Sequence, residues 1–262
     1  MIFLGNRRHK HHSPAGFLFA MNFAIAVAMP AAAADQVVAG QSGPAVSGFF
    51  QKHIDCDGIA VRSSSAVEDA ALRLACDKIS LMLKHIPRVR DALVRRGAEL
   101  HIIGRDERTS DLPEFRNQRD VTYVDNKGRL TTIDERTRGK GGLLSSCGEE
   151  NILHLAGDRY GDGSDICIHE FAHAIMDHGI DAEQRLEIQQ QYAKSLSAGL
   201  WHNAYAATNA KEYWAELTMW YFGSHGARRR LSETAAGNGP EALRSYDPEG
   251  FALLRRLYGG VP

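Results

Sequence analysis

The chain has 262 residues, 44% hydrophobic and 24% charged, with 31 basic against 32 acidic side chains. These values fit a globular chain of one domain, or one with a small lobe, long enough to bury a core. A formal net charge of −1 gives no electrostatic case for binding nucleic acid.

Residues 1–34 read apart from the rest. Arg7, Arg8, Lys10 and three histidines make a basic start, an apolar run covers 15–29, and Pro30 leads into four alanines. A basic head, a short apolar stretch and an Ala-x-Ala end describe a secretory signal peptide cleaved before Asp35. The apolar run is shorter than the roughly 20 residues a bilayer span needs, so no stable membrane anchor is expected after its removal. Its loss removes three of the basic residues and none of the acidic ones, leaving a net charge of −4. An exported chain with Cys56, Cys76, Cys147 and Cys167 is expected to be disulfide-bonded. The pairing of sequence neighbours, Cys56 with Cys76 and Cys147 with Cys167, is favoured over the two other pairings.

Residues 35–48 are rich in Gly, Ala, Ser and Pro and read as a flexible mature N-terminus. Leu72, Ala75, Ile79, Met82, Leu83 and Ile86 recur at helical steps and predict a helix over 66–86. Pro87 starts a second short helix that Gly97 stops. Strands are expected at 100–103, 121–124 and 152–155, with turn chemistry at 126–128 and a mobile glycine-rich stretch at 139–142. Helices follow at about 165–178, 182–198, 209–223 and 247–258. The triplet Arg228, Arg229 and Arg230 reads as a solvated helix end. Strands with helices first, then helices alone, make the fold class α+β, with 49–262 as a single domain.

His169-Glu-Phe-Ala-His173 lies in a helical pattern. Residues four apart share a helix face, so both imidazoles can reach one metal ion with Glu170 beside them. Zinc takes imidazole and carboxylate ligands, and a catalytic site needs a third from the protein. The metzincin continuation would need Gly at 176 and His at 179, where Met176 and Gly179 stand. The better candidate is Glu212 in Asn209-Ala-Lys-Glu212-Tyr-Trp-Ala-Glu216. Glu212 and Glu216 share a face, so one can bind metal while the other orients a ligand histidine. Tyr213, Trp214, Trp220, Tyr221 and Phe222 mark this helix as buried, and a buried helix seldom carries two unpartnered glutamates.

The two segments together resemble the gluzincins, most closely the anthrax lethal factor and Pro-Pro endopeptidase group. Those proteins carry H-E-x-x-H and later a tyrosine seven residues before the glutamate of E-[FY]-x-A-E; Tyr205 stands seven before Glu212 here. The likeness covers about 165–223. It implies a zincin-like domain, one Zn2+ per chain, a peptide or protein substrate, and Tyr205 as hydrogen-bond donor to a developing oxyanion. His202 is an alternative for that role. Glu170 would act as general base toward the metal-bound water. The expectation is a secreted or periplasmic zinc metallopeptidase, most simply an endopeptidase. Its rivals are a zinc hydrolase of another amide, such as a cell-wall bond, and a non-catalytic binding module on the same scaffold. Asp158, Asp162 and Asp165 lack the spacing of an EF-hand loop; Asp165 or Ser164 reads instead as a helix cap.

Overall fold

The computed structural model describes residues 38–39, 48–125, 128–161, 163–226 and 239–260. The proposed signal peptide, the Arg228–Arg229–Arg230 triplet, Asp162 and the Asn126–Lys127 turn positions lie outside them, as does most of the segment 35–48. Within that segment Val38–Ala39 forms a two-residue strand, β1.

A hairpin opens the sheet. β2 (Lys52–Cys56) and β3 (Ile59–Ser63) pair antiparallel around Asp57 and Gly58, both at positive φ. An Asp-Gly pair in the left-handed region matches the twist of the flanking strands. α1 (Asp69–Leu83) then buries one stripe, including Leu72, Ala75, Ile79 and Met82. It is shorter at both ends than expected. α2 (Pro87–Arg96) has proline in its first turn and ends at Gly97, whose φ of 74° is the left-handed cap. β4 (Glu99–Ile103) follows and pairs parallel with β3.

The next stretch departs from expectation in three places. The segment 121–124 is a strand only at β5 (Tyr123–Val124), which pairs with β6 (Leu130–Thr131) as a separate hairpin. After α3 (Ile133–Arg136), the glycines at 139–142 are not a loose rim. Gly139–Lys140 forms β7, the edge strand beside β8 (Leu144–Gly148), which in turn pairs parallel with β4. The segment 152–155 is no strand: α4 (Glu149–Ile152) occupies its start. Both first-turn glutamates are buried and partnered. Glu149 accepts the amide N–H groups of Glu68 and Arg105, at 2.7 and 3.0 Å, and Glu150 takes the Arg138 guanidinium on both oxygens at 2.7 Å. Those carboxylates, not the apolar run behind them, set the local conformation.

The sheet order is thus β1-β2-β3-β4-β8-β7, and the fold is α+β. The helices of the second half are α5 (Ile166–Ala174), α6 (Ala182–Ser197), α7 (Ala210–Tyr221), α8 (Gly239–Tyr246) and α9 (Pro248–Leu257). α8 was not anticipated. Both disulfides pair as favoured, and Cys147–Cys167 ties β8 to the first turn of α5. No described helix is long and apolar enough to cross a membrane.

A buried polar centre organises the helical half. Asp247, 1% exposed, accepts from Ser195, Trp201 Nε1 and the Tyr213 hydroxyl at 2.7–2.8 Å through Oδ2, and caps α9 through Oδ1. One carboxylate therefore joins α6, α7, α9 and the turn before Tyr205. Asp247→Ala leaves three buried donors short of an acceptor, and the expected cost is about 3 kcal/mol, read as a lower denaturant midpoint.

Candidate metal centre

α5 is anchored before it does any chemistry. Asp165 caps it by accepting from the Ile168 amide at 3.1 Å and also pairs with Lys78 of α1. Of the two caps expected, Asp165 and Ser164, the structure uses Asp165. Trp214 of α7 donates its indole N–H to the Ala172 carbonyl at 2.8 Å. The helix then widens into a π-turn over Ile175–Gly179, a local irregularity common beside functional sites. Arg96 donates to the His178 carbonyl at 2.7 Å, which fixes that turn.

His169 and His173 sit one turn apart, and their Nε2 atoms are 3.3 Å from each other. α7 presents Glu212 to the same point. Glu212 Oε2 lies 3.1 Å from His169 Nε2 and 3.6 Å from His173 Nε2. Its place in the first turn is set by Asn209, whose side chain accepts the amides of Lys211 and Glu212 at 2.9 and 3.0 Å. Glu216, one turn further and 5% exposed, brings Oε1 to 3.3 Å from His169 Nδ1. A proton held on Nδ1 beside that carboxylate would leave the Nε2 lone pair facing His173 and Glu212. Glu170 also offers a carboxylate oxygen within 4.8 Å of both imidazoles, so His169, Glu170 and His173 form a group that could hold a metal ion. Of the two carboxylates, Glu212 is the one in direct contact with both Nε2 atoms.

The electrostatics express the same demand for positive charge. Burial opposes charging His169, yet hydrogen bonds to Glu212 and Glu216 and the charge of Glu170 raise it to about 10. Burial likewise opposes ionising Glu212, but its hydrogen bonds and charge contacts with His169 and His173 carry it far below the usual carboxylate range. Glu170 is pushed up by burial, with the charges of His169 and His173 working against the rise. Tyr205 is raised to about 12, mainly by burial and then by the charge of Glu212, so its phenol stays protonated.

These groups line a cleft of about 510 Å³, bordered by Gly139–Lys140 on one side and by Tyr205 and Asn209 on another. Tyr205 is 45% exposed, and its ring centroid is 6.2 Å from that of His169. The His202 side chain is exposed and does not line the cleft, and His178 does not line it either. The structure thus brings together His169, Glu170, His173, Tyr205, Glu212 and Glu216. It adds cleft residues that sequence reasoning missed: Arg136, Lys140, Asp177 and Lys211. Nothing in the sequence separated them from ordinary surface charge. Asp158, read as no calcium ligand, accepts from Asn151 and from the Tyr160 amide.

Gly139 of the edge strand and Gly141 just after it have a steric reason. A Cβ on Gly141 would lie 2.6 Å from His173 Cβ and Cδ2, and one on Gly139 would lie 2.5 Å from Ile166 Cγ2 and 3.1 Å from Glu170 Cγ. Bare backbone is what lets β7 lie against the HExxH helix. No protein-family model matches the sequence, and no curated protein matches it. Gly141→Ala must displace β7 or the His173 ring, so metal affinity is expected to fall about tenfold or more, measured by competitive metal titration against wild type.

Proposed function

We propose that this protein is an exported zinc metallopeptidase in which His169, His173 and Glu212 hold the metal. One observation carries the reading: three ligand atoms converge at mutual separations of 3.3, 3.1 and 3.6 Å. Nitrogen and oxygen ligands at about 2.0–2.2 Å in a tetrahedron lie about 3.3–3.5 Å apart, so the donor set fits zinc by size and by chemistry. Bound zinc would supply Lewis acidity, lowering the pKa of a water toward about 7 and polarising a carbonyl.

The side chains account for the rest. Glu170 faces the same point without being the closer carboxylate, so it is the base that takes a proton from the attacking water and returns it to the leaving amine. Its upward shift suits a group that must hold that proton between the two steps. Tyr205 supplies a protonated hydroxyl at the mouth of the cleft, where oxyanion charge would develop. Glu216 fixes the tautomer and direction of His169. β7 ends the sheet order, and both of its residues line the cleft. An extended peptide can pair with such an edge, which favours a peptide over a small isolated amide as substrate. The disulfides, the basic-then-apolar start and the absence of a long apolar helix among the described residues support a secreted or periplasmic location.

Native mass spectrometry of the chain from Asp35 should find one zinc ion, and Glu212→Ala should lose it. No zinc in either protein after loading, with the fold intact, removes the proposal. Glu170→Gln should keep the zinc but lower peptide turnover by about 10²–10⁴-fold or more, and near-normal turnover would dismiss it as the base. Tyr205→Phe should retain zinc and lose about 10²–10³-fold in kcat.

A further inference from the structure

The charges around the cleft are not balanced alike. Its carboxylates are each compensated within the protein. Glu212 contacts both imidazoles, Glu170 lies against the same pair, and Asp177 is held by Lys211 Nζ at 2.8 Å. A dication on two neutral imidazoles and one carboxylate would leave a single positive charge for Glu170 to offset. Two cations are not compensated. Arg136 ends α3 and Lys140 sits in β7; both line the cleft, and neither has an ion-pair partner among the described residues.

Arg138, between them in sequence, shows what a structural cation looks like here. It is 6% exposed, bonded bidentately to Glu150, and its remaining N–H groups reach the carbonyls of Gly104 and Glu107. Arg136 has no such partners and is exposed, while Lys140 is half-buried at the cleft edge. Both cations line the same cleft as Glu170 and Tyr205. The two cations thus share the cleft with the two groups that would flank a scissile bond, and an anionic group on the substrate is what would complete their contacts.

Resting on the metallopeptidase reading, we infer that Arg136 and Lys140 are specificity-determining residues that bind a substrate carboxylate close to the cleaved bond, so that acidic peptides are the preferred substrates. That carboxylate can be an Asp or Glu side chain, or the free C-terminus of the peptide.

The test compares kcat/KM of the zinc-loaded protein on peptides with blocked termini, in which each position within three residues of the scissile bond is Glu, Gln or Lys. A second arm uses neutral peptides with a free or an amidated C-terminus. At low salt the carboxylate-bearing peptide of one arm should exceed its neutral counterpart by about threefold to tenfold, the gap narrowing as salt is added. The responding arm identifies the source of the carboxylate. Arg136→Glu with Lys140→Glu, checked for unchanged zinc content and melting temperature, should turn the preference toward Lys. Indifference to charge in both arms, or a preference that survives the reversal, overturns this inference while cleavage that is lost in Glu170→Gln leaves the metallopeptidase reading standing. Failure to cleave any peptide with zinc bound removes both.

Discussion

The contact on which the site depends is the meeting of α5 and α7 at His169. Its two ring nitrogens are occupied from one neighbouring helix, Nε2 by Glu212 and Nδ1 by Glu216, one turn apart on the same face. Burying that many ionisable groups without compensation would cost several kcal/mol per charge. The cluster is tolerable because each group answers another. Nine of the twelve residues of α7 are buried, including Trp214, Trp220 and Tyr221. Each large apolar side chain contributes roughly 1.5–3 kcal/mol, so the helix cannot turn its glutamates outward without losing that burial. Packing fixes the carboxylates, and the carboxylates fix the imidazole.

Two separate frames hold the two halves of this contact. α5 is referred to the sheet through Cys147–Cys167, the Asp165–Lys78 pair and the close approach of β7. α7 and the turn carrying Tyr205 are referred to Asp247, through Tyr213 and Trp201. Trp201 and Asn203 both hold positive φ, which costs a non-glycine residue about 1–3 kcal/mol each. The Trp201–Asp247 hydrogen bond and the burial of the indole offset that strain. Tyr205 therefore owes its position in the cleft to a polar centre that holds both α7 and the turn before it.

The sequence was most legible where chemistry restricts residue choice. His169, Glu170 and His173 declare themselves by spacing, and Glu212 and Glu216 by being acidic in an otherwise apolar helix. Pro87, Gly97 and Asp165 marked helix ends through backbone geometry that few residues can supply. The sheet was harder. β8 reads Leu144-Ser-Ser-Cys-Gly148, and its buried residues are two serines, a cysteine and a glycine, so hydrophobic alternation gives no signal. β2 and β3 were open to recognition from Asp57-Gly58 between alternating apolar residues, yet were not anticipated. The apolar run at 152–155 misled because a short run does not distinguish strand from helix, and the deciding partners, Arg138 and the amides of Glu68 and Arg105, come from distant segments.

The edge strand shows why the remainder could not be read locally. In Arg136-Thr-Arg138-Gly-Lys140-Gly141 the three cations are alike in sequence, but one is buried on Glu150 and two remain in the cleft. Which is which depends on α4, whose Glu150 arrives from the far side of β8. The glycines are equally ambiguous: the freedom that suggests a mobile loop is also the bareness that lets a strand lie against a helix. Here the second property governs, because Cβ atoms at 139 and 141 would fall within 2.6 Å of α5 side chains. A stretch that is conformationally permissive in isolation becomes a fixed wall of the cleft once the HExxH helix is beneath it, and its closeness to His173 makes the wall part of what holds that imidazole in place.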